Sequence, residues 1–376
     1  MNKYTFSIQK LAYFLIVICL LTYILIVGKN ILSPLVFAII FAFMLKPICG
    51  KIEKIIQYRT VAITLTIILS IIPIVLLITF FSMQLVDVAQ NMDSITEKLQ
   101  AGIDKIMSTI SAQFGISKKE SEAMIDENSS GMMQAPLGFL GTTLSISSNF
   151  LINLFLTFIY TFLLLLYRTS LKKFYFMQFG DKVKDGAELV LERIQTVIQK
   201  YLYGLLLVIG ILGIMNSVGL TLIGIEYAFL WGFLAALLAI IPYIGTVVGG
   251  LLPFLYAFAT TDNYWQPISV IGLFTIVQIL EGNIITPKVV GSSIKINPLA
   301  AILSLLVGGA IWGMSGLILA LPFVAIIRIV FNQIDFLKPV GLLLSDELFD
   351  KDDVFEEKFD KEKFRIFNFF KKKKPV

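Results

Sequence analysis

The chain has 376 residues, of which 57% are hydrophobic and 15% are charged, and its mean hydropathy is +0.85. A soluble domain carries about 25% charged residues, so this composition excludes an ordinary soluble protein and predicts an all-α, polytopic helical membrane protein with about eight membrane segments. The formal net charge is +5 and histidine is absent. The absence of histidine excludes a Ser-His-Asp triad and removes the most common metal ligand.

Enzyme signatures are also missing from the sequence. There is no GxxxxGK[ST] loop and no HExxH motif, so neither an ATPase nor a zinc protease is predicted. Cys19 and Cys49 lie in or beside apolar runs, where they are typical of small buried side chains and not of a disulfide framework. We therefore expect no enzyme activity, cofactor, metal or nucleic-acid partner, and any transport would be passive or driven by a gradient.

The N-terminal segment 1–82 predicts three membrane spans, because about 20 apolar residues cross about 30 Å of hydrocarbon. Lys3 and Lys10 precede the first span, and four basic residues separate the second from the third. Basic loops favour the cytoplasmic side, so the N-terminus is predicted to be cytoplasmic. No small-x-small cleavage site follows the first apolar run, which favours a retained helix. The three spans are 11–28, 31–49 and 60–82.

Segment 83–141 is predicted to lie outside the cell, since it has eight acidic residues against four lysines. Apolar residues recur in it every three or four positions from Leu85 to Phe114, which predicts a long amphipathic helix. Such a helix could lie on the membrane, pack between subunits, or pack on its own protein. A fourth span, 142–167, and a basic cytoplasmic helical loop, 168–200, follow.

The C-terminal membrane core is predicted at 201–335, and it contains two unusually long apolar runs, 227–260 and 298–334. As a single helix each would measure roughly 50–55 Å, which is far more than a bilayer needs. Both runs are interrupted in the middle, at 241–250 and 308–316, so we predict broken helices or re-entrant hairpins. Full double crossings remain the alternative.

The tail at 336–376 is predicted to be a charged cytoplasmic segment. It is acidic from Asp346 to Glu362 and basic at 371–374. The basic end could dock on anionic lipid, and a disordered tail is the alternative.

Glu281 is the most informative ionisable residue, because a charge inside a span is costly and usually functional. It is predicted to end an apolar helix, with Gly282 and Asn283 following and Pro287 stopping the helix. Glu281 and Asn283 are therefore candidates for a solute or ion pathway, as in transporters with discontinuous helices. The alternative places Glu281 at headgroup level, paired with Lys288.

Other polar and small residues in the membrane segments have two interpretations. Asn149 and Asn153 lie one helical turn apart in the fourth span, where they could line a path or join helices by hydrogen bonds. The prolines and glycines of the broken runs are predicted to break helices or permit close packing. These are Pro242, Gly245, Gly249, Pro287, Gly291, Pro298, Gly309, Gly313, Gly316 and Pro322.

Several of these blocks together resemble the autoinducer-2 exporter family of bacterial permeases. The motifs are ILSPLVFA at 31–38 with LKP at 45–47, IIPYIG at 240–245, EGN with PKVVG at 281–291, and the glycines of 308–316 with Leu321-Pro322. The similarity covers roughly residues 10–335 and is specific in combination. The family block usually has a histidine where this chain has Asn297, so a proton role at this position does not carry over from the resemblance.

The resemblance implies an oligomeric secondary transporter or exporter of a small polar solute in the bacterial inner membrane, with export of autoinducer-2 as the founding activity of the family. The bilayer, the solute or a monovalent cation, and further copies of the chain are the expected partners. Other members are associated with sodium–proton exchange, so cation–proton antiport is the second hypothesis. A non-transporting scaffold that acts through the outer helix and the charged tail is the third.

Overall fold

A computed structural model describes residues 4–6, 8–91, 97, 148–178, 180–241, 244–261, 263–289, 295–349 and 371–373. Nearly all of these residues are helical. The α-helices are α1 Ile8–Val27, α2 Lys29–Ile56, α3 Arg59–Gln90, α4 Ser148–Met177, α5 Asp181–Ile223, α6 Ala228–Leu238, α7 Ile244–Thr260, α8 Trp265–Leu280, α9 Thr286–Val289, α10 Pro298–Trp312, α11 Met314–Phe331 and α12 Lys338–Leu343. A π-helical turn, Glu281–Ile285, joins α8 to α9, and 3₁₀ turns occupy Asp335–Leu337 and Asp346–Phe349.

Seven segments in the described part of the chain are long and apolar enough to cross a membrane. This confirms the prediction of a polytopic helical membrane protein. In α1, no residue is buried against the protein, as expected of a helix that faces lipid. The seven segments are Ile8–Val27, Lys29–Ile56, Arg59–Val88, Leu151–Met177, Asp185–Ile223, Trp265–Val289 and Met314–Phe331.

Both long apolar runs are broken, as the sequence predicts. The first consists of α6 and α7, separated by residues 239–243. The second consists of α10 and α11, which only Gly313 separates. At 1.5 Å per residue, α6 measures about 17 Å, roughly half of the hydrocarbon thickness. Their depth in the bilayer stays a prediction.

Two compact units share the chain. The first comprises Met1–Ile67, Asn153–Tyr203 and Gly291–Val376, and the second comprises Ile68–Ile152 and Gly204–Val290. Each unit therefore contains one of the two helix pairs.

The core of the second unit is formed where α6 and α7 pack with α3, α5 and α8. Trp231, Leu230 and Val270 are almost completely buried there. In the first unit a smaller apolar cluster centres on Ile40, Ile198 and Leu319. Burial of such side chains stabilises each by about 1.5–3 kcal/mol.

The segment that follows α11 is fastened to the start of α10. Ile296 and Ser345 form an isolated antiparallel bridge, and Asn297 N–H donates to the carbonyl of Leu344 at 3.1 Å. Two short strands, β1 Tyr4–Phe6 and β2 Lys371–Lys373, pair in antiparallel fashion. The first described residues thus lie beside the last, and the tail residues 350–370 and 374–376 lie outside the described ones.

The outer segment predicted at 83–141 is largely outside the described residues. Its first part, up to Gln90, belongs to α3, the helix that begins at Arg59. The predicted amphipathic helix therefore stays a prediction.

Candidate functional site

A π-helical turn lies inside the last membrane-spanning helix of the second unit. It covers Glu281–Ile285, and Thr286 N–H donates to the Glu281 carbonyl, five residues earlier. The α-helix α8 ends as predicted, with Glu281 as its C-cap, but helical structure continues beyond it through this turn to Val289. Pro287 has no N–H to donate, and its ring would crowd the carbonyl four residues before it in an α-helix. The wider π turn accommodates the missing hydrogen bond and the bulk of the ring. Single π turns are frequently found at functional sites.

The Glu281 carboxylate is held by neutral donors. Gln278 Nε2 donates to Oε2 at 2.9 Å, and Thr286 Oγ1 donates to Oε1 at 3.4 Å. Among the described residues, no cation lies within ion-pairing distance of this carboxylate, and the alternative of a pair with Lys288 is not seen. The two donors orient the carboxylate and leave its charge without a counter-ion, which is the chemistry required to accept a proton, a cation or a solute donor.

A second carboxylate, Glu53 near the end of α2 in the first unit, provides a contrast. It forms an ion pair with Arg168, and both groups contact the Cys49 thiol. Arg59 in the same unit donates to the carbonyl of Leu165 at 2.9 Å. These contacts join α2 and α3 to α4, so Glu53 has a structural role. Glu281 has no such ion pair among the described residues, so a structural role of this kind does not account for its charge.

Asn283 lies on the same π turn as Glu281. Its side-chain amide donates to the Ile279 carbonyl at 2.8 Å, and the residue is exposed. Pro287 follows in α9 and is also exposed. The structure therefore brings Glu281, Asn283 and Pro287 together within two helical turns.

The two asparagines of the fourth span are divided between the units. Asn149 belongs to the second and Asn153 to the first, although both lie in α4. The backbone carbonyl of Asn153 accepts a hydrogen bond from Thr157 Oγ1 at 2.7 Å. The pathway role of both asparagines stays a prediction.

The glycines of the broken runs lie where backbones approach closely. A Cβ on Gly245 would lie 1.7 Å from the Leu238 carbonyl oxygen, and one on Gly249 would lie 2.9 Å from Ala235 Cα. In the other pair, a Cβ on Gly316 would lie 1.8 Å from the Gly308 carbonyl oxygen. Each helix pair therefore requires glycine at its crossing.

The remaining glycines and prolines of the broken runs do not lie on the Glu281 turn. Gly309 packs near Leu317, and Gly313 forms the turn with φ 60°. Pro298 is in the first turn of α10, and Pro322 is buried inside α11. Pro242 and Gly291 lie outside the described residues. Since the 308–316 break belongs to the first unit and the Glu281 turn to the second, a site composed of both stays a prediction.

Sequence reasoning missed the role of Asn297. Its Oδ1 accepts from Ala300 N–H at 2.8 Å and caps α10, while its Nδ2 donates to the carbonyls of Leu343 and Ser345. An asparagine directly before a proline and an apolar helix is a typical N-cap signal, so this part could have been found. Its bonds to Leu343 and Ser345 span more than 40 residues and could not.

A further feature without a sequence signal is an apolar cavity of about 300 Å³ in the first unit. Its walls are almost entirely carbon, and the one hydroxyl in them, Ser304 Oγ, donates to the Ala301 carbonyl at 2.7 Å. This cavity does not suit a polar solute. The walls come from α1, α10 and α11, and include Leu25, Val307, Trp312, Leu319 and Phe323.

The long apolar helices and the two glycine-crossed helix pairs define a polytopic helical membrane protein. The family comparison is consistent with this. Residues 13–335 match the model of the AI-2E family transporters, and the chain belongs to that family.

Two relatives illustrate the range of similarity. The AI-2 transport protein TqsA of Escherichia coli (strain K12) is 24% identical over 323 residues, which cover 85% of this chain and 90% of TqsA. YrrI of Bacillus subtilis (strain 168), which is named only as a candidate transport protein, is 36% identical over 138 residues. That match covers 37% of this chain and 38% of YrrI.

Proposed function

We propose that the chain is a secondary transporter that exports a small polar solute of the autoinducer-2 type across the bacterial cytoplasmic membrane. The observation that carries the proposal is the π turn at Glu281. It presents an oriented carboxylate that has no counter-ion among the described residues, inside a membrane-spanning helix where a charge without function would be costly. The name of TqsA supports the choice of solute. We propose that the chain is not an enzyme.

Cation–proton antiport is the second candidate, and the same carboxylate favours it. One carboxylate can bind a proton or Na⁺ but not both at once, which is the minimum chemistry for exchange. The oxygens of Glu281 and Thr286 lie 3.4 Å apart, and oxygen ligands suit hard cations. A silent pH dye in liposomes exposed to Na⁺, Li⁺ and K⁺ gradients would exclude antiport of those ions.

We also propose that both termini are cytoplasmic and that the chain forms homo-oligomers in the bilayer. The antiparallel pairing of Tyr4–Phe6 with Lys371–Lys373 supports a common side for the termini. The helix α1, which has no buried residue, supplies a surface for lipid or for a neighbouring copy.

The decisive test is Glu281→Gln in proteoliposomes loaded with autoinducer-2. We expect insertion and folding to be unchanged, since glutamine keeps the acceptor oxygen for Gln278 or Thr286, and we expect flux to fall at least about a hundredfold. The matched control is Glu226→Gln in the same unit, where glutamine can still accept from Tyr256 Oη. Wild-type flux in Glu281→Gln would remove Glu281 from the mechanism.

Truncation distinguishes the transporter from a scaffold. Removal of residues 350–376 leaves the turn at Asp346–Phe349 and its contact from Asp346 N–H to the Lys295 carbonyl intact. A transporter should retain flux after this truncation. A scaffold that works through its tail should lose its cellular phenotype while flux is absent in both forms.

A further inference from the structure

The apolar cavity of the first unit follows from the way in which α10 and α11 cross. A Cβ on Gly308 would lie 2.5 Å from the Gly316 carbonyl oxygen and 3.3 Å from Ala320 Cβ. Both helices therefore carry small residues where they cross. Small residues cannot fill the space beside the crossing, and the cavity of about 300 Å³ lies there, between α10, α11 and the end of α1.

The two polar side chains in the cavity walls already have partners within the protein. Ser304 Oγ donates to the Ala301 carbonyl at 2.7 Å, and Trp312 Nε1 donates to the Leu25 carbonyl at 2.8 Å. The other wall residues are aliphatic, phenylalanine or glycine. A polar ligand would lose its bonds to water on entering such a space and would gain none from these two groups. The walls therefore select an apolar ligand.

Neither water nor empty space is a good occupant of this cavity. An ordered water needs about two to four polar partners, and these walls do not supply them. Protein interiors contain few voids larger than a water molecule. If the cavity stayed empty, the atoms of its walls would lose their dispersion contacts on one side. A hydrocarbon group restores those contacts and requires no hydrogen bond.

The surrounding bilayer supplies hydrocarbon of the right length. The helices α1 and α11, on two sides of the cavity, are both long and apolar enough to span a membrane. Val307 and Ile327 in the walls are 56% and 37% exposed, so the cavity has an open side. The walls extend along α11 from Gly316 to Ile327, about 17 Å at 1.5 Å per residue. One leaflet of hydrocarbon is about 15 Å deep, so the cavity matches one acyl chain.

We propose that this cavity binds one acyl chain of a bilayer phospholipid, which fills the space beside the crossing of α10 and α11. A second copy of the chain is the competing occupant. A helix with its side chains is about 10–12 Å in diameter, so a neighbouring copy could cover the opening but its backbone could not enter. An unbranched acyl chain is narrow enough to enter. The proposal does not depend on which solute the protein transports.

Quenching of Trp312 fluorescence by a brominated lipid tests the proposal, because bromine quenches an indole ring that it contacts. The chain has three tryptophans, so Trp231→Phe and Trp265→Phe leave Trp312, in the cavity wall, as the single reporter. Phosphatidylglycerol with brominated acyl chains is added to the purified protein in detergent. We expect quenching that saturates at one lipid per chain, without any transport assay.

Substitutions that fill the cavity should remove the saturable quenching. Val324→Phe adds a ring to the cavity wall on α11, and Ser304→Leu fills the space from α10 and loses only a bond within its own helix. The two variants act from different helices, so a folding defect in one leaves the other as a test. The matched control is Val17→Phe on α1, where Val17 is 54% exposed and is not part of the walls. We expect this control to keep the saturable quenching.

Three results would overturn the proposal. Absence of quenching in the protein that retains only Trp312 would mean that the cavity is empty or is covered by a second copy of the chain. Quenching that rises without saturation would indicate random contact with lipid in the micelle. Saturable quenching that is unchanged in both Val324→Phe and Ser304→Leu would place the bound lipid outside the cavity.

Discussion

The two broken helix pairs are similarly apolar but have different surroundings. Six of the 11 residues of α6 are buried, and α6 with α7 forms much of the core of its unit. Only two of the 15 residues of α10 are buried, although its composition is equally apolar. The turns differ as well: residues 239–243 connect the first pair, whereas Gly313 alone connects the second.

The difference shows that apolar composition does not determine burial in a membrane protein. A lipid-facing and a protein-facing helix require the same residue types, since lipid tails are as apolar as leucine. What the two pairs share is a glycine at the crossing, where backbones touch. Substitutions at glycine therefore test how each pair is built.

The largest effect is expected for Gly245→Ala in the buried pair. The new methyl would lie 1.7 Å from the Leu238 carbonyl oxygen, and backbone cannot move aside as a flexible side chain can. We expect a loss of about 3 kcal/mol in the free energy of unfolding, measured as apparent melting temperature in detergent. A wild-type melting temperature would show that α6 and α7 do not cross at this residue.

A smaller loss is expected for Gly313→Ala in the exposed pair. An added Cβ meets no atom within 4 Å, so the cost arises only from the backbone, with φ 60° and ψ −132°. Such a conformation costs a non-glycine residue about 1–3 kcal/mol. The control is Gly50→Ala in the same unit, which is helical and equally unobstructed. Equal melting temperatures for the two variants would contradict a turn at Gly313.

Asn297 tests how the exposed pair is anchored. Asn297→Ala removes the cap on α10 and both bonds to the segment after α11, and we expect a loss of about 1–2 kcal/mol. Asn297→Ser keeps an acceptor for Ala300 N–H but loses the two donated bonds, so its melting temperature should be intermediate. Equal melting temperatures for the two variants would show that the cap makes no measurable contribution to stability.

The smallest effect, with the opposite sign, is expected for Gly272→Ala in α8. This glycine is exposed and an added Cβ meets no atom within 4 Å. Alanine there should stabilise the protein by about 0.4–1 kcal/mol, chiefly because it restricts the unfolded chain. A destabilised variant would indicate that another copy of the chain packs on this face.

The sequence predicted the helical membrane class and both broken runs. It could do so because hydrophobic length, glycine and proline act locally along the chain. It placed the end of an α-helix at Glu281, where α8 does end, but helical structure continues beyond it through a π turn to Val289. Proline disfavours an α-helix, and this can be read from the sequence. The sequence does not say whether the helix ends at that point or continues through a π turn with one extra residue.

By itself, then, the sequence determined that this chain spans a membrane and where its apolar runs are interrupted. Tertiary structure decided which carboxylate is paired. Glu53 meets Arg168, a residue 115 positions away, whereas the hydrogen-bond partners of the Glu281 carboxylate in the described part of the chain are neutral. Pairing and burial depend on contacts between distant residues, and no local pattern of apolar residues encodes them.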